Sequence, residues 1–315
     1  MTEVQLDSLT LGEALATGGQ GTVFALKNQL SSVFKQYHNP ANPEFNEQAL
    51  AWLVAERTRI SFEGRAVDEW AAWPSAVVKD GAQTVGFLMR RVPAEFTIAI
   101  NGQAKLADLS FLASKPRPLW AQVPLPSDEE CVQLIHHLAG AMRALHQRSV
   151  VIGDISFLNV VWARTPSPRV MLLDCDGMRR GTDPPVLPQA ETLDWEDPLA
   201  RPNSPPTIER DRYKLALAVM RVLTRDLEAK PTPTISAQLR GLSGPSADRV
   251  LTLLRMAAGP LESRPSASDW IAALSMRDSV PVSMPSRRKI DSPPSKPELL
   301  GERPRSYRPV QPPSR

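Results

Sequence analysis

The chain has 315 residues, 42% of them hydrophobic, which suffices for one large two-lobed domain or two small ones. Lys and Arg number 37 against 34 Asp and Glu, and residues 279–315 hold eight of the basic residues but only three acidic ones. The rest of the chain is close to neutral, so its charge gives no indication of a nucleic-acid partner.

Residues 1–7 contain no basic segment followed by an apolar run, so no signal peptide is predicted. The longest apolar runs fall short of the roughly 20 residues that span a membrane, and the run after Leu215 is interrupted by Arg221. Cys131 and Cys175 have neither metal-ligand spacing nor the number that a disulfide framework needs. We expect a cytoplasmic protein with reduced cysteines and no membrane partner.

Residues 9–37 predict three short strands joined by tight turns. The turn within residues 15–23 is rich in glycine, and the bare backbone amides of such a turn can close over phosphate groups. The strand over residues 31–37 alternates in polarity and carries a single lysine, Lys35. Taken singly, a glycine-rich turn is most often an ordinary hairpin, and a strand lysine most often faces solvent.

A helix is predicted over residues 42–59, because their apolar side chains recur at helical spacing. Two strands joined by a glycine-containing turn are predicted within residues 73–92. Pro93 then marks a change in the sequence pattern. We therefore expect an N-terminal lobe over residues 1–93 and a C-terminal lobe over residues 94–278.

The C-terminal lobe is predicted to be mainly helical. A helix begins at Ser127 or Asp128, whose acidic first turn suits the helix dipole. Residues 210–223 are apolar almost all round, which indicates a buried central helix. Residues 246–258 and 266–275 predict two further amphipathic helices.

Two apolar runs of this lobe end abruptly in oxygen-bearing side chains. Residues 150–159 end in a loop that holds Asp154 and Asn159, and the run within residues 170–177 ends at Asp174. Three such donors beside two strand ends suit Mg²⁺ ions that bridge nucleotide phosphates. The simpler alternative is that these side chains only cap turns. The glycine-rich turn and the lysine upstream, in the right order, favour the chemical interpretation.

Residues 178–206 are Pro-rich and irregular, and a connection of this length tends to be functional. Its phosphorylatable side chains are Thr182, Thr192 and Ser204. At the C-terminus, nine prolines among the 37 residues of 279–315 predict a disordered tail rich in Pro, Ser and Arg.

In this order the parts resemble a Hanks-type, eukaryotic-like bacterial protein kinase over about residues 9–276. A narrower resemblance to the YegI-like subgroup rests on Ala72-Trp-Pro74, Gly86-Phe-Leu-Met89, Gly153-Asp154 and Leu173-Asp-Cys-Asp-Gly177. The resemblance implies an α+β, two-lobed protein-kinase-like fold, with a β-rich N-lobe and a helical C-lobe around an ATP cleft.

The resemblance also assigns roles to individual residues. Asp154 would orient the acceptor hydroxyl as catalytic base, and Lys35 would grip the α- and β-phosphates of ATP. Asn159 and Asp174 would hold the Mg²⁺ or Mn²⁺ ions. The nucleotide would further contact the glycine-rich turn and the hinge between the lobes, through Gly18, Gly19, Gly21, Val23, Met89, Arg90 and Val92.

Two more residues receive structural roles from the same resemblance. Glu47, on the first helix, is predicted to pair with Lys35 and to hold it toward the nucleotide, with Glu44 and Glu56 as alternatives on neighbouring turns. Asp211 would anchor the buried helix to the catalytic loop.

Several positions depart from the pattern of the family. Ala16 stands at its first glycine, Gly153 at the arginine before the catalytic Asp, and Ser156 at a lysine near the γ-phosphate. Leu199 stands where the activation segment normally ends in Glu. Arg264, which would stabilise that segment, is therefore expected to lack its usual partner.

Asp176 replaces the glycine after the metal-binding Asp. It either adds a carboxylate to the site or fixes a turn, and we favour the turn. Because Gly153 has no charge to receive a phosphate on the activation loop, we expect a constitutively competent kinase, or one controlled by a partner acting on the lobes or on the helix over residues 42–59.

The leading hypothesis is an ATP-dependent protein kinase acting on Ser/Thr hydroxyls of proteins, itself included. Its protein substrate is not indicated by the sequence, and a cognate protein phosphatase is a further expected partner. A second hypothesis is an ATP-binding pseudokinase or scaffold. A third is a small-molecule phosphotransferase of the aminoglycoside or choline type, which shares the acidic motifs.

Overall fold

The computed structural model describes residues 2–188, 191–201 and 204–275. These residues all belong to one compact unit. The predicted disordered tail, residues 279–315, lies outside the described residues.

The N-terminal half is built on a six-stranded sheet in the order β1-β7-β8-β4-β3-β2, in which β1 runs parallel to β7 and the other neighbours are antiparallel. A short hairpin, β5 with β6, stands apart from it. The first eight strands are β1 (Glu3–Gln5), β2 (Leu11–Thr17), β3 (Gly21–Leu26), β4 (Ser32–Tyr37), β5 (Ser61–Phe62), β6 (Arg65–Ala66), β7 (Ala76–Asp80) and β8 (Gln83–Arg90).

The sheet carries apolar side chains on both faces. On β4, Phe34 points into a small cluster with Val78, while Tyr37 belongs to the main core of the molecule with Phe87. Because successive side chains of a strand alternate between faces, Lys35 lies on the same face as Tyr37. The strand thereby directs its lysine toward the inside of the molecule.

Helix α1 (Glu47–Glu56) is shorter than the helix predicted over residues 42–59. It begins where it does because the Asn46 side chain caps it, accepting a hydrogen bond from the backbone N–H of Ala49 at 3.0 Å. The apolar residues that predicted the helix are largely buried on one side of it. A one-turn helix, α2 (Val67–Trp70), follows.

The C-terminal half is mainly helical, with three short two-stranded ladders. The ladders are β9 (Thr97–Ile100) with β10 (Gln103–Leu106), β11 (Val150–Val151) with β14 (Arg179–Arg180), and β12 (Val160–Ala163) with β13 (Arg169–Leu172). The helices are α3 (Ser110–Ala113), α4 (Asp128–His146), α5 (Ile208–Thr224), α6 (Gly244–Ala257) and α7 (Ala267–Leu274).

The predicted helices of this half are confirmed. Ser127 caps α4 by accepting from the backbone N–H of Glu130 at 3.2 Å, and the Glu130 carboxylate accepts from the Ser127 N–H in return. Helix α5 is buried along nearly its whole length, as its apolar sequence predicted. It forms the centre of the main core together with α4.

The fold is therefore α+β, with a β-rich N-terminal part and a helical C-terminal part in a two-lobed, protein-kinase-like arrangement. The predicted lobe boundary at residues 93 and 94 stays a prediction. None of the helices in the described ranges is both long enough and apolar enough to cross a membrane.

Candidate active site

One cavity of about 1250 Å³ lies between the glycine-rich turn, strand β4, the end of β8 and the β12–β13 hairpin. Of the residues that the sequence predicted for the site, Glu47 alone does not line it. The predicted residues that do are Gly18, Gly19, Gly21, Val23, Lys35, Met89, Arg90, Val92, Asp154, Asn159 and Asp174.

The glycine-rich turn connects β2 to β3 over the cavity. It is closed by a hydrogen bond from the backbone N–H of Gly18 to the carbonyl of Gly21 at 2.9 Å. A Cβ atom at Gly21 would lie 2.3 Å from the carbonyl oxygen of Gln36 on the neighbouring strand. Only glycine therefore allows β3 and β4 to approach this closely beside Lys35.

Lys35 is buried, and its ammonium group contacts two carboxylates. Its Nζ donates to Asp174 Oδ1 at 2.6 Å, to Asp176 Oδ1 at 2.7 Å and to Asp176 Oδ2 at 2.9 Å. Burial alone would lower the pKa of Lys35, but Asp176 and Asp174 outweigh it, so the pKa is raised above its ordinary value. The lysine therefore stays protonated and places a fixed positive charge in the lining of the cavity.

The predicted pairing of Glu47 with Lys35 is wrong. Glu47 opens the first turn of α1, and there its carboxylate binds Lys79 Nζ of strand β7 at 3.1 Å, with 44% of its side chain exposed. The alternatives fail as well, since Glu44 is exposed and Glu56 pairs with arginines. The position of the α1 cap, which sets this rotation, could not be deduced from the apolar pattern.

Asp176 supplies the carboxylate that was expected from the helix. It lies in the short 3-10 turn Cys175–Gly177, but its side chain faces Lys35 and is 2% exposed. The favoured interpretation, that Asp176 only fixes a turn, is therefore wrong. The Tyr37 hydroxyl also donates to Asp176 Oδ2, at 3.1 Å.

Asp174 follows β13 in a left-handed conformation, with φ of 53°. Such a conformation is uncommon for a residue other than glycine, and residues that adopt it cluster at functional sites. It turns the chain so that Asp174 and Asp176 both reach Lys35. The backbone N–H of the preceding Leu173 donates to the carbonyl of Asn159 at 2.8 Å, which ties this turn to the Asp154 loop.

The Asp154 carboxylate accepts hydrogen bonds on both of its oxygens. The amide of Asn159 donates to Oδ2 at 2.8 Å and to the backbone carbonyl of Asp154 at 3.0 Å. The hydroxyl of Thr192, which lies within the irregular span, donates to Oδ1 at 2.7 Å. These bonds fix the direction in which the carboxylate faces the cavity.

The donor set suits a Mg²⁺ ion that also binds phosphate. Asn159 donates through its amide nitrogen, which leaves the amide oxygen as a ligand, and the Asp174 side chain is 39% exposed. Within the described ranges, no group of three or more His, Cys, Asp or Glu side chains could hold a metal ion. A Mg²⁺ ion commonly combines one or two carboxylates with substrate phosphates. An ion held by Asn159 and Asp174 would likewise need phosphate oxygens to complete its coordination.

The loop that carries Asp154 is anchored to α5 as predicted. Asp211 accepts from the backbone N–H of Ile152 at 2.8 Å and of Gly153 at 2.9 Å. Gly153 has φ of 81°, a left-handed conformation that favours glycine, which explains why this position departs from arginine. Lys214 of α5 donates to the Gly153 carbonyl at 2.8 Å.

Arg264 does have a carboxylate partner, so the expectation that it would lack one is wrong. Its Nη2 donates to Asp197 Oδ1 at 2.7 Å, and both side chains are fully buried. Asp197 precedes Pro198, whereas the family pattern places the acid after the proline. The same charge pair is therefore built from a position two residues earlier than Leu199.

For two residues near the site, the sequence did not predict the contacts that they make. Thr192 was predicted only as a phosphorylatable side chain, and Glu191 was not singled out; Glu191 binds Arg210 at 2.6 Å and Lys214 at 3.0 Å. Their position in the segment before Asp197 was the one sequence feature that pointed to a role. An irregular span has no periodicity, so the sequence does not show which of its side chains point inward.

Comparisons with known proteins agree with this arrangement. No protein-family model matches the chain. It is 24% identical over 172 residues to Protein kinase YegI of Escherichia coli strain K12, an alignment that covers 54% of this chain and 23% of that protein. It is 22% identical over 315 residues to Protein kinase YegI of Escherichia coli O157:H7, covering 86% of this chain and 45% of that protein.

The resemblance to YegI-like protein kinases, inferred from the motifs, is thus confirmed by sequence similarity. The chain spans less than half the length of the curated relatives it matches.

Proposed function

We propose that this chain is an ATP-dependent protein kinase that transfers the γ-phosphoryl group of ATP to Ser/Thr hydroxyls of proteins, including its own. The observation that carries the proposal is that Lys35, Asp154, Asn159 and Asp174 line one cavity beneath a glycine-rich turn. Phosphoryl transfer asks a protein mainly to position the reactants and to neutralise charge, and these residues supply both.

In the proposed reaction, a substrate hydroxyl would donate its proton to the Asp154 carboxylate, whose oxygens each have a second lone pair beside the bonds from Thr192 and Asn159. The hydroxyl oxygen forms a bond to the γ-phosphorus while the bond from that phosphorus to the bridging oxygen breaks, and ADP leaves. The buried Lys35 charge would neutralise phosphate oxygens of the nucleotide. Asn159 and Asp174 would hold Mg²⁺ or Mn²⁺, which neutralises charge on the phosphates when bound.

The contact between Thr192 and Asp154 supports an aliphatic hydroxyl as the acceptor. The β-branched side chain of Thr192 places its hydroxyl 2.7 Å from the carboxylate, so an aliphatic hydroxyl can approach Asp154 at hydrogen-bonding distance. For this reason we favour Ser and Thr over Tyr.

A second candidate, the ATP-binding pseudokinase or scaffold, is favoured by one observation. Both oxygens of Asp154 already accept hydrogen bonds, from Thr192 and Asn159, so the carboxylate is engaged within the protein itself. In that case the chain would bind nucleotide and signal through its conformation, without transferring phosphate.

The proposal includes two expectations about context. The bacterial cytoplasm is the expected location, since ATP is supplied there. A cognate protein phosphatase is an expected partner, because a phosphorylation signal needs reversal.

The test is incubation of the purified protein with γ-labelled ATP and Mg²⁺ or Mn²⁺, alone and with a protein mixture. We expect label on protein, recovered as phosphoserine or phosphothreonine after hydrolysis. Nucleotide binding without any transfer would favour the pseudokinase. Transfer only to added aminoglycosides or choline would favour the small-molecule phosphotransferase, and phosphotyrosine alone would contradict the Ser/Thr assignment.

A further inference from the structure

We propose that Asp176, and not a carboxylate on helix α1, is the positioning residue that holds Lys35 for the nucleotide. The anchor of the lysine then belongs to the same turn that carries Asp174. This inference rests on the proposed function, because it assigns a role in ATP binding.

The contact between Asp176 and Lys35 has the geometry of a permanent pair. Both carboxylate oxygens of Asp176 accept from Lys35 Nζ, at 2.7 and 2.9 Å. The Tyr37 hydroxyl fixes Oδ2 from the same strand that carries Lys35. Since Asp176 and Tyr37 are almost fully buried, water does not compete for these bonds.

The two carboxylates near Lys35 differ in access to the cavity. The Asp174 side chain is 39% exposed, whereas the Asp176 side chain is 2% exposed. A cation that binds Asp174 competes with Lys35 for that carboxylate, whereas both oxygens of Asp176, which also lines the cavity, are already held by Lys35 and Tyr37. Lys35 therefore keeps one counter-ion when Asp174 binds a metal ion.

Helix α1 takes no part in holding the lysine. Its first-turn carboxylate, Glu47, binds Lys79, and the carboxylates that raise the pKa of Lys35 are Asp176 and Asp174. A displacement of α1 would consequently not separate Lys35 from its carboxylate. A partner that acts on this helix would have to control the enzyme by another route.

The test compares Asp176→Asn with the matched variant Glu47→Gln in the full chain. Binding of ATP is measured by calorimetry, and KM for ATP and kcat are measured over a series of Mg²⁺ concentrations. In Asp176→Asn, Lys35 has only Asp174 left, so metal and lysine compete for one carboxylate. We expect the affinity for ATP to fall about 10-fold, as for loss of a charge-assisted bond. We also expect a higher Mg²⁺ concentration to be needed for half-maximal activity. Glu47→Gln should match the wild type.

A purely structural role for Asp176 would change stability without shifting the Mg²⁺ dependence. If Asp176→Asn does not fold, Tyr37→Phe removes one bond to the same carboxylate and should shift affinity and Mg²⁺ dependence in the same direction by less. Unchanged binding and Mg²⁺ dependence in the folded variant, or an equal loss in Glu47→Gln, would overturn the inference. Failure of the wild type to bind ATP would instead overturn the proposed function.

Discussion

At the residue scale, the Thr192 hydroxyl is the group that orients the proposed catalytic base, through its bond to Asp154 Oδ1. Replacing Thr192 by Val removes the hydroxyl while keeping the shape of the side chain. We expect kcat to fall about 10-fold, the usual effect of losing one hydrogen bond to a charged group. Steady-state kinetics with an exogenous protein substrate measures it.

Thr192→Ser is the control for this prediction, because serine retains the hydroxyl. It should keep kcat close to the wild type. Equal losses in the Val and Ser variants would show that packing of the methyl group, and not the hydrogen bond to Asp154, accounts for the effect.

The two cysteines make a second prediction at this scale. Both are buried, and burial raises the pKa of Cys131 to about 11 and that of Cys175 well above its ordinary value. Because the thiolate is the reactive form, we expect almost no alkylation by iodoacetamide at pH 8 in the native protein. Intact mass should show two adducts only after denaturation. Rapid labelling of either cysteine in the folded protein would contradict this burial.

Individual residues also show which parts of the candidate site could be predicted from the sequence. Lys35, Asp154, Asn159 and Asp174 were predicted to meet on the basis of the resemblance to protein kinases, and all four line the cavity. The contact between Lys35 and Asp176 was not predicted, because the family pattern has glycine at this position and takes the partner of the lysine from the first helix. Which carboxylate reaches the lysine depends on where α1 begins and on the left-handed turn at Asp174, and neither leaves a periodic signal.

At the scale of elements, the Asp197–Arg264 pair joins the irregular segment to the turn before α7. Both side chains are fully buried. Asp197→Asn leaves the Arg264 charge without its counter-ion, which typically costs about 3–5 kcal/mol. We expect a large drop in the free energy of unfolding, measured by urea denaturation.

Glu47→Gln serves as the control, since it breaks a solvent-exposed ion pair with Lys79. It should leave the urea midpoint nearly unchanged. If the urea midpoint of Asp197→Asn were also close to that of the wild type, the buried pair would contribute little to holding the segment.

The segment before Asp197 is also attached to α5 without any phosphate. Glu191 binds Arg210 and Lys214 of that helix, and Lys214 in turn donates to Gly153 beside Asp154. These ion pairs attach the segment through a carboxylate, the kind of contact that a phosphate makes in other kinases. This attachment agrees with the expectation that the kinase is competent without loop phosphorylation.

The corresponding test replaces Thr182 and Ser204 together by alanine. Thr192 must be left intact, because its contact with Asp154 makes it part of the site. We expect kcat to stay within about twofold of the wild type, whereas Glu191→Gln should lower it. A large loss in the double alanine variant, with folding retained, would show that phosphorylation of the segment does control the enzyme.

The elements themselves were predicted better than their junctions. Helices α4 and α5 follow from strong periodic or uniform apolar runs and from capping side chains. Residues 178–206 were predicted as irregular, and among the described residues of that span only β14 (Arg179–Arg180) forms a strand or helix. The inward direction of Glu191, Thr192 and Asp197 could not be deduced. In such a segment the contacts with α5 and Arg264 decide the conformation, and those contacts are distant in sequence.

At the scale of the whole molecule, the α+β arrangement places the candidate site where the glycine-rich turn meets the ends of two hairpin strands. This architecture was predicted from the resemblance of the ordered motifs to protein kinases, with the strand and helix patterns in agreement. The proposed function requires this cavity to transfer phosphate from ATP with the help of Asp174.

The most direct measurement is label transfer from γ-labelled ATP by the wild type and by Asp174→Ala, with circular dichroism to verify folding. We expect the wild type to transfer label in the presence of Mg²⁺ or Mn²⁺. Loss of Asp174 should reduce the rate by about 10²-fold or more while the fold is retained. Wild-type transfer by Asp174→Ala, or no metal-dependent transfer by the wild type, would contradict the claim.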